Sequence, residues 1–322
     1  MINSVRNTVL SILNKNNYGY ISPADFNLYA KQAQMELFED YFAAYNKAIN
    51  MENSRMAGTD YANLERPVAE VLEHFLTSAF LVPALTPSGA TVNQWQAPSI
   101  VTVGNDYYMI NRLLCYTTVL ATGQNTATLP ANQLIDAGAD FVAAGVRPGD
   151  IAVCINTLQT ATVLAVTTTA LDLSDNIVGA IGQDYVVYSA ATTSTFEAEK
   201  VSIGKVAALN ASNYTAPSTV FPIYTLNNSG IITVYPSSIS GYGAVEATYF
   251  RYPMDPKWTY VTLTSGEPVF DQSQPDYSDF ELPLEEEYKL VVKILQYCGV
   301  SIREGDVVQY ALGQETENKN NA

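Results

Sequence analysis

The sequence predicts an α+β protein: an N-terminal helical hairpin or bundle joined by a C-terminal helix, and an antiparallel β domain carrying an inserted small β module. Three observations carry that expectation. Apolar residues near both ends recur every three or four positions, which is helical spacing. The middle is rich in Thr, Val, Ala and Tyr with frequent Gly and Asn, which is strand and turn composition. Within it, residues 119–196 hold Arg147 as their sole basic residue, against Asp136, Asp140, Asp150, Asp172, Asp175 and Asp184.

Taken in order, Val5, Val9, Ile12 and Leu13 predict a short amphipathic helix over 3–15, stopped by Asn16-Asn17-Tyr18-Gly19-Tyr20. Ser22-Pro23-Ala24-Asp25 is a helix start, with Ser as N-cap, Pro at the first helical position and an acid in the first turn. Phe26, Tyr29, Ala33, Leu37, Tyr41, Ala44, Ala48 and Met51 then carry a helix of about 28 residues, about 42 Å long. Val68, Val71, Leu72, Phe75 and Leu76 predict a third helix. These elements make residues 1–86 a helical region.

Strand composition begins with Ser99-Ile-Val-Thr-Val-Gly104, continues through 107–119 and resumes beyond the module at 197–206. The β domain is expected over 87–120 and 197–282, with the inserted module at 121–196. Inside the module, 150–156, 161–174 and 183–189 read as strands, with turns at 147–150 and 174–176. Residues 213–258 contain three apolar runs, FPIYTL, GIITVYP and AVEATYFRYP, separated by Asn, Gly and Ser turns. They predict one antiparallel meander whose prolines sit at strand ends, where a missing N–H does no harm. Leu282-Pro283 opens a helical region over 283–312. Glu285 and Lys289 stand four apart on it, Gly299 is a natural C-cap, and a second short helix follows at 304–312. Residues 313–322 read as a flexible polar tail.

The chain has 322 residues, 48% of them apolar, which is enough for a full core. With 16 basic and 32 acidic residues its formal charge is −16, which argues against a surface that grips DNA. Cys115, Cys154 and Cys298 are isolated, so no disulfide framework is expected and synthesis in a reducing compartment fits. The first residues do not read as a signal peptide, and no apolar run is long enough to cross a membrane.

Candidate chemistry is sparse. His74 is the only histidine, with Glu70 four residues before it and Glu73 beside it. A metal site needs three or four ligands, so a solvated helix face is the better reading. Asp172-Leu-Ser-Asp-Asn176 looks oxygen-rich but lacks calcium-loop spacing and reads as an Asx turn. Glu285-Glu286-Glu287 suits a helix N-terminus. No nucleophile elbow is present, and neither a catalytic residue nor a cofactor or metal ligand is expected. The 22 tyrosines suit protein contacts, where an apolar body with a polar tip is useful. Tyr29, Tyr41, Tyr45, Tyr235, Tyr252, Trp258 and Tyr288 are the candidate subunit-contact residues.

Residues 4–48 resemble the N-terminal helical hairpin of ring-forming structural proteins of crAss-like and related Bacteroidota phages. Residues 199–236 and 248–258 resemble their β-domain signature, and 280–311 their closing helix. Residues 136–156, DAGADFVAAGVRPGDIAVCIN, resemble small β modules that recur in phage structural proteins. The resemblance implies a head–tail connector (ring or adaptor) below the portal, in the neck of a virion assembled in the host cytoplasm. It implies a homo-oligomeric ring of twelve, whose partners are the portal and neighbouring ring or tail proteins. Genomic DNA would pass through without sequence-specific binding, and no membrane is involved. Twelve copies at −16 carry a formal −192, a charge along which a polyanion slides without adhesion. Two rivals remain: a tail or capsid-surface protein that recognises host glycans through the β module, and an acidic hydrolase.

Overall fold

The computed structural model describes residues 1–13, 21–55, 66–84, 93–128, 130–264, 266–302 and 313. The protein mixes helices with largely antiparallel sheets. It forms two compact units, Met1–Phe75 with Pro253–Ala322, and Leu76–Tyr252. The chain therefore enters its β unit eleven residues before the start expected at 87, and residues 253–282 group with the helices rather than with the β domain.

Helix α1 spans Ile2–Leu13 and buries Ile2, Val5, Arg6, Val9 and Leu13. Helix α2 runs Pro23–Arg55. The Ser22 Oγ accepts the Asp25 N–H at 3.1 Å and donates to Asp25 Oδ2 at 2.7 Å, a reciprocal cap at the predicted start. Its buried face is Phe26, Ala30, Ala33, Gln34, Leu37, Phe38 and Phe42, which leaves Tyr29 and Tyr41 half-buried beside it. Helix α3 spans Arg66–His74, and Phe75 after it packs edge-on against Phe38, ring centres 5.0 Å apart.

The second unit starts with β1 (Leu76–Phe80) and β2 (Gln94–Gln96), then β3 (Tyr107–Tyr116). Between the last two, residues 99–103 form a turn rather than the expected strand. The Ser99 carbonyl accepts the Thr102 and Val103 N–H groups, and the Asp106 carboxylate accepts the Ile100 N–H at 2.8 Å. Local acceptors outcompete a ladder there, and Val101 is left 90% exposed. Next come β4 (Val119–Gln124), β5 (Gln133–Ile135), β6 (Ile151–Cys154), β7 (Gln159–Val166), β8 (Ala170–Leu173) and β9 (Asp184–Tyr188). The chain returns through β10 (Thr195–Glu197) and β11 (Glu199–Lys200), then turns after Ser202 into helix α4 (Ile203–Asn210), so strand ends short of the 206 expected. It continues through β12 (Ile223–Leu226), β13 (Ile231–Tyr235) and β14 (Val245–Arg251).

One sheet has the order β1-β14-β3-β10 and a second β11-β12-β13-β2. The expected three-stranded meander is thus split: β12 and β13 pair, but β14 lies in the other sheet between β1 and β3. The two sheets join at both edges. Beyond β1 the chain bonds to β2, through Ala84 N–H to Gln94 O and Gln96 N–H to Val82 O, each 2.8 Å. At the opposite edge β10 pairs with β3, and two residues later β11 pairs in parallel with β12. Two bent strands therefore close the sheets around a core that includes Trp95, Leu113, Ile232, Val234, Val245 and Tyr249.

Strands β4 to β9 build a separate sheet of order β4-β9-β6-β7-β8-β5. It leaves the main wall after Tyr116 and returns at Thr195, which are paired neighbours. The segment just past β4 pairs with β5 at Ala127 and Ile135, so this sheet also curls shut. Its core holds Leu134, Phe141, Val163, Leu171, Tyr185 and Val187. It is not self-contained, because Val153 and Tyr188 belong to the core of the larger sheets. The Tyr188 hydroxyl donates to the Tyr242 carbonyl at 3.2 Å, and the Tyr242 hydroxyl donates to the Leu158 carbonyl.

Strands β15 (Tyr260–Thr262) and β16 (Pro268–Phe270) form an isolated ribbon in the first unit. A 3₁₀ turn, Leu284–Glu286, leads into α5, Glu287–Ile302, which packs against α1 and α2. Lys289 pairs with Glu286 at 3.0 Å and not with Glu285. The helix continues through Gly299, so that glycine is not its cap. The helix expected at 304–312, and all but residue 313 of the tail, lie outside the described residues.

Gly243 gives a direct test of how the module is seated. Its φ is +80°, and an added Cβ would collide with Val153 of β6. Gly266 has a similar φ of +85° with open space around it. Gly243→Ala should therefore cost about 1–3 kcal/mol more than Gly266→Ala in urea denaturation, the excess measuring overpacking rather than backbone strain.

Candidate assembly surfaces

Trp258 is 2% exposed and lies inside the first unit, not on a sheet edge. The Arg6 guanidinium sits over its ring at 3.8 Å, and its indole N–H donates to Asn3 Oδ1 at 3.1 Å. The Asn27 side chain bonds both its backbone N–H and its carbonyl, at 2.8 and 3.2 Å. Tyr260 and Phe270 stack on it at 5.6 and 5.9 Å. These contacts dock one face of the β15–β16 ribbon.

The other face of the ribbon is open. Val261 pairs with Val269, and Leu263 follows on the same side; they are 48%, 46% and 50% exposed. Leu263 N–H bonds to the Glu267 carbonyl and Asp271 N–H to the Thr259 carbonyl. That alternation turns the peptide groups of Tyr260 and Thr262 away from β16. The outer edge of β16 carries Pro268, which has no N–H to offer, so the open edge of the ribbon is β15.

A second surface lies between α1 and α5. A groove of about 420 Å³ is floored by Ile12, Val291, Val292 and Leu295, with Leu284 and Tyr288 at its mouth and Glu285 and Glu287 on its rim. Leu284 is 75% and Tyr288 49% exposed. The carboxylate of Glu286 is turned inward, beside Tyr41 and Lys289, so it takes no part in the rim.

Of the candidate contact residues, Tyr288 lines this groove, and Tyr252 is 39% exposed with its ring edge-on to Tyr108. Tyr29 stacks on Tyr297 within the helical unit. Tyr41 is half-buried, its pKa raised by burial and by the adjacent Glu286 carboxylate. Tyr45 and Tyr235 are half-buried, the latter paired opposite Ile223. The two tyrosines of the module, Tyr185 and Tyr188, are both buried, so they offer no stacking platform. The surfaces are built instead from aliphatic positions missed in sequence. The available signal was an apolar residue at a position whose neighbours at i±2 or i±4 already supplied the buried face.

The acidic residues of the module serve its own turns. Asp136 accepts from the Tyr185 hydroxyl at 2.7 Å. Asp150 accepts the Arg147 and Ala190 N–H groups, at 2.7 and 2.9 Å. Asp140 accepts the Ala143 N–H and Asp172 the Gln133 amide, at 2.9 and 2.5 Å. Ser174 and Asp175 bond to each other rather than converging on a cation. His74 is exposed beside Phe75, and no cluster of metal-ligating side chains occurs among the described residues. The three cysteines are free and buried, and burial pushes the Cys115 and Cys298 thiols up to about 12, where they are poor nucleophiles. No described helix is long and apolar enough to cross a membrane.

Compared with known proteins, the chain matches no protein-family model, and no curated protein matches it.

Trp258→Ala should cost about 3–5 kcal/mol in urea denaturation followed by circular dichroism. Were Trp258 a subunit contact, the variant would keep its fold and lose only assembly. Asp279 gives a pH test. Burial opposes its charge, but the amino group of Met1 and the N–H groups of Ile2 and Phe280 outweigh that and lower its pKa. A depressed carboxyl pKa stabilises the fold above the unfolded value of about 3.9 and loses that contribution as pH falls through the folded value. Asp279→Asn should thus be less stable than the parent at pH 7, with the difference shrinking as pH falls through the lowered folded-state value of Asp279.

Proposed function

We propose that this chain is a non-enzymatic virion structural protein, a connector ring of about twelve copies below the portal that surrounds the DNA exit channel. The observation that carries the reading is the pair of open apolar surfaces on the helical unit, the α1–α5 groove and the Val261/Leu263/Val269 face of the ribbon. Exposed apolar area of this kind marks contact sites, and the residue types in both are suited to packing rather than to chemistry. Their difference in shape favours heterologous contacts, in which each meets a different patch on a neighbouring copy and rotation closes a ring. The resemblance of residues 4–48, 199–236, 248–258 and 280–311 to phage ring proteins supplies the context. A charge of −16 per copy suits a channel that must let DNA slide without gripping it.

The glycan-binding reading draws less support, because it needs exposed rings on the module and Tyr185 and Tyr188 are inside. The hydrolase reading has no observation in its favour. Reconstruction of the intact particle by electron cryo-microscopy tests the proposal. The chain is expected as a ring of about a dozen copies around the neck axis; its absence there, or its presence only at peripheral fibres, would overturn the reading.

A further inference from the structure

Lysines are scarce in the β unit. None occurs between Lys47 and Lys200, and the unit's two, Lys200 and Lys205, flank one exposed aliphatic side chain, Ile203, which is 60% exposed on α4. Neither lysine joins an ion pair among the described residues. The nearby Glu197 is taken up by Arg112 at 3.1 Å, and Glu199 projects from the opposite side of β11 to Lys200. Phe221, 77% exposed, sits at the same corner, because Pro222 after it accepts the Glu199 N–H. Two exposed apolar side chains and the unit's two lysines thus fall close together in the fold of a chain of net charge −16.

The α1–α5 groove has the opposite character: an apolar floor with Glu285 and Glu287 on its rim, neither in an ion pair among the described residues. Lys289, the nearest cation on that helix, is held by Glu286. We infer that the groove of one copy receives the Ile203/Phe221 knob of a second copy, with Lys200 and Lys205 meeting Glu285 and Glu287. The inference rests on the ring reading and supplies its interface. Complementary charge selects this pairing on a chain whose surfaces otherwise repel one another. The two patches differ, so the contact is head-to-tail and each copy uses both.

Charge reversal tests it. One variant carries Lys200→Glu and Lys205→Glu, the other Glu285→Lys and Glu287→Lys. Self-association of the full chain is followed by sedimentation velocity at low salt. Each variant alone is expected to raise the apparent dissociation constant by at least about tenfold. An equimolar mixture should restore association, since each variant then meets a complementary partner; this rescue also shows that both are folded. If the wild type associates and the variants associate equally well, the pairing is wrong while the ring reading stands. If the wild type stays monomeric at high concentration, the copies do not hold one another through this contact and the inference fails, leaving the ring to be judged by the particle reconstruction. Variants that each lose association without rescue on mixing would also overturn it.

Discussion

Trp258 sits where lengths of chain with no local register must meet: the start of α1, the first turns of α2, the strand leaving the β unit and the ribbon that follows. Its ring contacts a guanidinium and two aromatic rings, while Asn3 and Asn27 bind its polar atoms. A side chain of this size, buried with every polar atom bonded, fixes position as well as contributing area. Arg6 can be buried because the indole face receives its charge. Further long-range contacts tie the same unit: Lys31 to Asp255 at 2.7 Å, Gln34 to the Met254 carbonyl at 2.7 Å and Lys293 to Glu36 at 2.9 Å. The exposed ribbon depends on it directly, since a two-stranded ribbon alone is marginal in water.

The β unit solves a different problem. Open sheets expose unpaired edges that recruit other strands. Here the strand through Leu76 and Pro83 and the strand through Thr195 and Lys200 each bend from one sheet to the other, and the inserted sheet curls until Ala127 meets Ile135. Few edges are left for uncontrolled pairing.

Helix starts and apolar faces were legible in the sequence, because capping and periodicity are local. Ser22, Pro23 and Asp25 marked the start of α2, and Val5, Val9 and Leu13 the buried stripe of α1. The spacing of Tyr29 and Tyr41 placed the α2 stripe slightly off centre; the buried line runs instead through Ala30, Gln34 and Phe38. Strand pairing was not legible, since alternation reports that a strand has two faces and not which neighbour it takes. That is why β14 looked like the third strand of a meander although its partners, β1 and β3, lie more than a hundred residues earlier. Residues 99–103 misled for another reason: their Ile and Val have strand propensity, but Ser99, Thr102 and Asp106 satisfy the backbone locally. The candidate contact surfaces were the least legible, because an exposed Leu284 or Ile203 looks in sequence like any core residue.

The charge pattern gains meaning once the acids are sorted by use. Asp136 and Asp150 are buried acceptors that bind a hydroxyl and backbone N–H groups, and Asp140 and Asp172 bond within the same fold. Their charge is a by-product of turn closure, because a carboxylate is the most capable acceptor a short side chain offers. Glu285 and Glu287 are different: they close no turn through their side chains and stand beside exposed leucine and tyrosine. Beyond its favourable place at a helix N-terminus, an acid held next to apolar surface adds little to folding, but it discriminates between what can and cannot dock. On a chain with twice as many acids as bases, most surfaces fail that selection by like charge alone. In the proposed pairing, a surface that brings two lysines and an aliphatic side chain passes it, and like-charge repulsion elsewhere disfavours the other orientations.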